Sequence, residues 1–164
     1  MNRLAGYALV LAASVLAQAQ TPAPTAADRL GKTFAYVNEK VLDMAKDFPE
    51  AKYDFKLKPE MRSFGDVIVH VASGNMYAAK AGRGEKVKWD ELDPKNYKGK
   101  AAIVALLEQS IQGANASLKQ NPEGWQKSLD PFLSVLQHSS EHYGLLVAYY
   151  RANGIVPPDS RPKK

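Results

Sequence analysis

The chain has 164 residues, 24% of them charged and 45% hydrophobic, with a net charge of +5 and no cysteine. That length suits one domain with a sizeable core, and the absence of thiols rules out disulfides and thiolate metal sites. The lysines are scattered and often sit beside acids (Glu39-Lys40, Glu85-Lys86) rather than forming a basic stripe with interleaved aromatics, so no nucleic-acid partner is expected.

The chain opens with a cationic Met1-Asn2-Arg3, an apolar run from Leu4 to Leu16, and Ala17-Gln18-Ala19. This order predicts a secretory signal peptide over residues 1–19, cleaved after Ala19. The mature chain would then be periplasmic or secreted, with no membrane attachment once the leader is gone. Removing 19 of 164 residues leaves 145, and losing Arg3 lowers the net charge from +5 to +4. Residues 20–27 (QTPAPTAA) read as a disordered lead-in to a domain over 28–162.

Leu30, Phe34, Val37, Val41 and Met44 recur at steps of four and three, predicting an amphipathic helix from about Ala27 to Lys46, stopped by Pro49. Residues 49–62 read as a connection. Ser63 caps a second helix, with Phe64, Val67, Ile68, Val71 and Ala78 on an apolar arc about 100° wide. His70 falls just outside that arc, beside Gly74 and Tyr77, at a seam. The aperiodic, charged stretch from Gly82 to Gly99 is long for a turn between antiparallel neighbours and suits a crossover to a parallel helix.

A third helix, from about Lys100 to Gln120, carries Ile103, Leu107, Ile111, Ala114 and Leu118 on one face and is stopped by Asn121-Pro122. After a connection containing Trp125, a fourth runs from about Asp130 to Asn153, with Asp130 as cap, Pro131 at its first position and Gly154 as terminator. Phe132, Val135, Leu136, Leu146 and Tyr149 mark its buried face. The expected fold is all-α, a four-helix bundle.

Two of the three histidines, His138 and His142, are four residues apart on the fourth helix, hence on one face. The helical wheel puts both on the bundle side and points Glu141 away. With His70 they form a candidate metal site: three neutral imidazoles bind a divalent transition ion and leave a coordination position open. Such a position binds water, lowers its pKa towards about 7, and offers a Lewis acid to a substrate. Zinc or nickel is expected ahead of iron or manganese. Asp66, one turn before His70, is either an orienting partner for that imidazole or a plain helix-start acid. Tyr77, Tyr143, Tyr149 and Tyr150 are packing residues or pocket lining, and Arg151 suits the negative end of its helix as well as an anion. No phosphate-binding glycine loop and no nucleophile motif is present, so no catalytic residue is assigned.

The stretches SFGDVIVHVASGNMY around His70 and LQHSSEHYGLLVAYYRANGIVPPDSRP around His138 and His142 resemble the DinB-like (DinB/YfiT) helical-bundle metalloproteins. In that family one histidine on the second helix and an HxxxH pair on the last bind a divalent metal. The resemblance covers residues 28–162 and implies metal binding by His70, His138 and His142, an up-down-down-up bundle with its long crossover between the second and third helices, and the option of a homodimer. Family members include thiol-dependent transferases and isomerases of the cytoplasm, a setting an exported chain would not share. Two functions follow: a metal-dependent hydrolase or transferase acting on a small molecule, or a non-enzymatic bundle in which metal ties two helices together as an interaction module.

Overall fold

The structure, a computed structural model, describes residues 23–120 and 129–162. The expected leader over 1–19, the Asn121-Pro122 stop and the Trp125 connection lie outside the described residues. Four long helices make up the fold: α1 (Ala26–Asp47), α2 (Phe64–Gly82), α3 (Gly99–Gln120) and α4 (Leu129–Ala152). Short 3-10 turns at Glu50–Lys52, Pro94–Asn96 and Pro158–Ser160 complete it. Among the described residues there is no strand, only an isolated bridge between Lys56 and Ser63. No described helix is long and apolar enough to cross a membrane.

Local chemistry sets the helix ends. The Thr25 hydroxyl accepts from the Asp28 amide (3.1 Å) and the Asp28 carboxylate accepts from the Thr25 amide (2.9 Å). This capping box starts α1 at Ala26, inside the stretch expected to be lead-in. Ser63 and Asp66 form the same box at the start of α2. Helix α4 begins at Leu129, so Asp130 and Pro131 occupy its first turn rather than its cap and first position. A proline is tolerated there because the first amides of a helix have no intrahelical acceptor. Gly154, at φ +69°, ends α4. Its amide bonds to the Arg151 carbonyl and that of Ile155 to the Tyr150 carbonyl, both at 3.0 Å, the paired reversal that glycine's left-handed conformation permits.

Contacts at the helix ends fix the directions. Phe34 meets Phe132 edge-on at 5.3 Å near the starts of α1 and α4, and Tyr150 donates to the Met44 carbonyl (2.7 Å) near their ends. These two helices therefore run parallel. Gly65 lies against Ile103 at the starts of α2 and α3, and Gly82 against Ser117 at their ends, so this pair is parallel too. Lys100 Nζ donates to the Phe48 carbonyl (2.9 Å), joining the start of α3 to the end of α1. The bundle is up-down-down-up, with residues 83–98 as the crossover.

Helices α1 and α2 each pack on both α3 and α4. Helix α2 is buried nearly all round, Val69, Ala72, Ser73 and Asn75 included, well beyond the 100° arc expected of it. The crossover covers the extra face: the Leu92 amide donates to Ser73 Oγ (3.1 Å). The core divides into two apolar clusters, one around Phe48, Phe64, Leu107 and Tyr150, the other around Phe34, Ala114 and Phe132. Along the helices, Asn38, Asn75 and Ser139 fall between them and Ser110 lies at the edge of the first, all buried. They pair as Asn75 Nδ2 to Ser110 Oγ (3.3 Å) and Ser139 Oγ to Asn38 Oδ1 (3.4 Å). The three histidines sit beside this polar level, on the α2–α4 seam.

Candidate metal centre

His70 leaves the second turn of α2 and meets His138 and His142, one turn apart on the neighbouring α4. One ring nitrogen from each lies within 4.8 Å of the other two. The Nε2 atoms of His70 and His138 are 2.9 Å apart, and the ring centroids are separated by 4.4 to 4.8 Å. Two nitrogens on a tetrahedral zinc, each about 2.05 Å from it, stand roughly 3.3 Å apart, so the cluster is already near ligand spacing.

The electrostatics favour the ligating form. Burial, then the neighbouring imidazoles, push His138 down to about 4; burial, then His70 and Arg62, do the same to His142. Burial and Arg62 also lower His70, against the opposing pull of Glu91. All three rings are therefore neutral at pH 7, with lone pairs available. His138 Nδ1 is buried without a hydrogen-bond partner among the described residues. Three neutral nitrogens turned towards one another suit a soft-to-borderline divalent ion better than they suit each other.

A ring of supporting side chains surrounds the histidines. His70 Nδ1 meets Glu91 Oε1 at 2.9 Å, and the same oxygen accepts from Arg62 Nη2 at 2.8 Å. A carboxylate on Nδ1 holds the proton there and leaves Nε2 as the lone pair facing the cluster. Burial alone would raise Glu91, but the charges of His70 and Arg62 and their hydrogen bonds outweigh it and hold its carboxyl below the usual range. Trp89, from the crossover, packs edge-on to His70 (5.8 Å) and His138 (5.4 Å) and tilts against Tyr77 (5.8 Å). Gly74 makes room for this packing. A Cβ there would stand 3.2 Å from His138 Nδ1 and 3.3 Å from Trp89 Cη2.

The site opens beside His142 into a cleft of about 440 Å³. A larger cleft, about 860 Å³, lies between the starts of α2 and α3 and holds no histidine.

Each residue singled out from the sequence has a clear place. His70, His138 and His142 are brought together, and Glu141 faces outward, accepting from Gln137 Nε2 at 3.0 Å. Asp66 is committed to the α2 capping box, and the orienting role at His70 falls to Glu91. Tyr149 and Tyr150 are buried and donate to the carbonyls of Arg62 and Met44. Tyr143 stacks under Lys40 Nζ at 4.0 Å, and Arg151 is exposed in the last turn of α4. Glu91, Arg62 and Trp89 had gone unassigned. A tryptophan in a mostly charged crossover is the one signal that points to them.

A family model described as the DinB superfamily matches residues 33–146, a span that includes all three histidines. No curated protein matches the chain.

Proposed function

Because the chain belongs to the DinB superfamily, we propose that His70, His138 and His142 hold one divalent transition ion, zinc or nickel first, and that the protein is a metal-dependent hydrolase or transferase of a small molecule. The observation that carries this reading is the convergence of three neutral ring nitrogens from two helices, one of them aimed by Glu91. An ion on three imidazoles supplies a Lewis acid with a free coordination position. The protein's own part is to fix that position. Glu91 sets the His70 tautomer, Gly74 lets His138 approach α2, and Trp89 packs against the rings of His70 and His138. Access is left from the cleft at His142, where a substrate would enter.

The N-terminal leader supports export, and we place the mature chain in the periplasm or outside the cell. Metal analysis of the untagged, exported protein tests both proposals. One metal per chain, absent from His142→Ala, and an N-terminus at Gln20 are the expected results. A metal-free protein whose melting temperature ignores added zinc and nickel would refute the first, and a retained Met1 the second. An activity screen of the metal-loaded protein against small esters, amides and transferable groups then separates a catalyst from a binding module.

A further inference from the structure

The cleft beside His142 has a chemical character of its own. Met61, Val67, Leu145 and Tyr149 give it apolar walls, while Arg62 and Glu60 supply its charges. Its volume of about 440 Å³ falls within the range of small-molecule sites, about 300–1,000 Å³.

Arg62 is held at both ends. The Tyr149 hydroxyl donates to its backbone carbonyl, and Glu91 accepts from its Nη2. A guanidinium has five N–H donors, and among the described residues only Nη2 is engaged; the side chain stays 48% exposed. A surplus of donors on an oriented arginine suits a planar, bidentate acceptor.

Charge points the same way. An imidazole that ligates a metal carries no charge, and the paired Arg62 and Glu91 cancel. A divalent ion adds two positive charges, of which Glu60 at the rim offsets one. The filled site therefore keeps a positive excess facing an apolar cleft. A ligand that satisfies both carries a negative head on a short apolar body.

We propose that this cleft binds a small carboxylate on an apolar chain, with Arg62 gripping the carboxylate beside the metal position and Val67 and Leu145 packing on the chain. The proposal deepens the metal reading and rests on it.

The test uses the full chain loaded with cobalt(II), whose visible absorption reports on ligands entering its coordination sphere. Octanoate, acetate and octan-1-ol are the probes, read by the cobalt spectrum and by calorimetry. Octanoate is expected to perturb the spectrum and to bind at least about tenfold more tightly than acetate, which lacks the chain, or octan-1-ol, which lacks the charge. Arg62→Gln should keep one cobalt per chain and lose about tenfold or more in octanoate affinity, as expected for a hydrogen bond between charged groups. Arg62→Lys, which keeps the charge without the fork, should recover part of it. If Arg62→Gln takes up cobalt and binds octanoate as tightly as the parent, or if octan-1-ol binds as well as octanoate, the carboxylate site is refuted and the metal reading stands. A parent chain that takes up no cobalt refutes both.

Discussion

Glu91 Oε1 touches His70 Nδ1 at 2.9 Å, joining a residue of the crossover to the one histidine that α2 contributes. The contact ties the loop that passes outside the bundle to the chemistry at its seam. Removing the carboxylate's charge while keeping its shape should loosen metal without unfolding the protein. Glu91→Gln is expected to weaken zinc affinity by about 10- to 100-fold in a chelator competition. Asp66→Asn, at the capping box, should leave zinc affinity unchanged and cost roughly 0.5 kcal/mol of stability. The opposite pattern would return the orienting role to Asp66.

Metal should stabilise the folded chain by mass action. At free zinc a hundredfold above the dissociation constant the gain is about 2.7 kcal/mol. For a domain of this size that corresponds to a melting temperature higher by about 5–10 °C. His142→Ala should abolish the shift in differential scanning fluorimetry, since two imidazoles do not replace three.

Gly74→Ala sets two effects against each other. Alanine improves a helix interior by about 1 kcal/mol. Here, however, its methyl would crowd His138 Nδ1 at 3.2 Å and Trp89 Cη2 at 3.3 Å, and overpacking costs about 1–3 kcal/mol. The expected result is a net loss of stability, a weaker zinc site and altered Trp89 fluorescence. An unchanged zinc affinity would mean that His138 shifts freely.

The depressed histidines predict the acid behaviour of the metal-free protein. In the unfolded chain His138 and His142 take up protons below about pH 6.5. In the folded chain they resist until about pH 4. Between these limits the unfolded state binds more protons, so stability falls as the pH drops, with the full loss reached below about 4. Urea midpoints at pH 7.5 and 5.0 should differ accordingly, and the His138→Gln/His142→Gln double variant should flatten the difference. Equal midpoints for the parent would mean that the rings are not held neutral.

The helical pattern made the bundle readable, and the reason is burial on one side. Helix α1 shows only a stripe to the core, so its steps of three and four mark it plainly. Helix α2 is wrapped by α3, α4 and the crossover, and its small residues Ala72, Ser73 and Gly74 gave no hint of burial on the outer face. Asn38 is completely buried, and a sequence pattern cannot announce that because its partner Ser139 lies 101 positions away. His138 and His142 could be placed together because a helix fixes the offset between neighbours on one face. Glu91 and Arg62 could not, because they reach the site from irregular segments whose paths depend on tertiary contacts such as Leu92 to Ser73 and Tyr149 to Arg62. The family resemblance read from the histidine stretches agrees with the match over residues 33–146.

His70 and His138 are 68 positions apart in a chain without cysteine. An ion shared by them would close a long covalent-like loop, as a disulfide does elsewhere. The chain-entropy estimate for cross-linking a loop of that length is about 4 kcal/mol, gained by restricting the unfolded ensemble. Chelation would act on this protein as a reductant acts on a disulfide-bonded one. A protease cut within residues 83–98 would leave two fragments still joined at the seam while the ion stays in place.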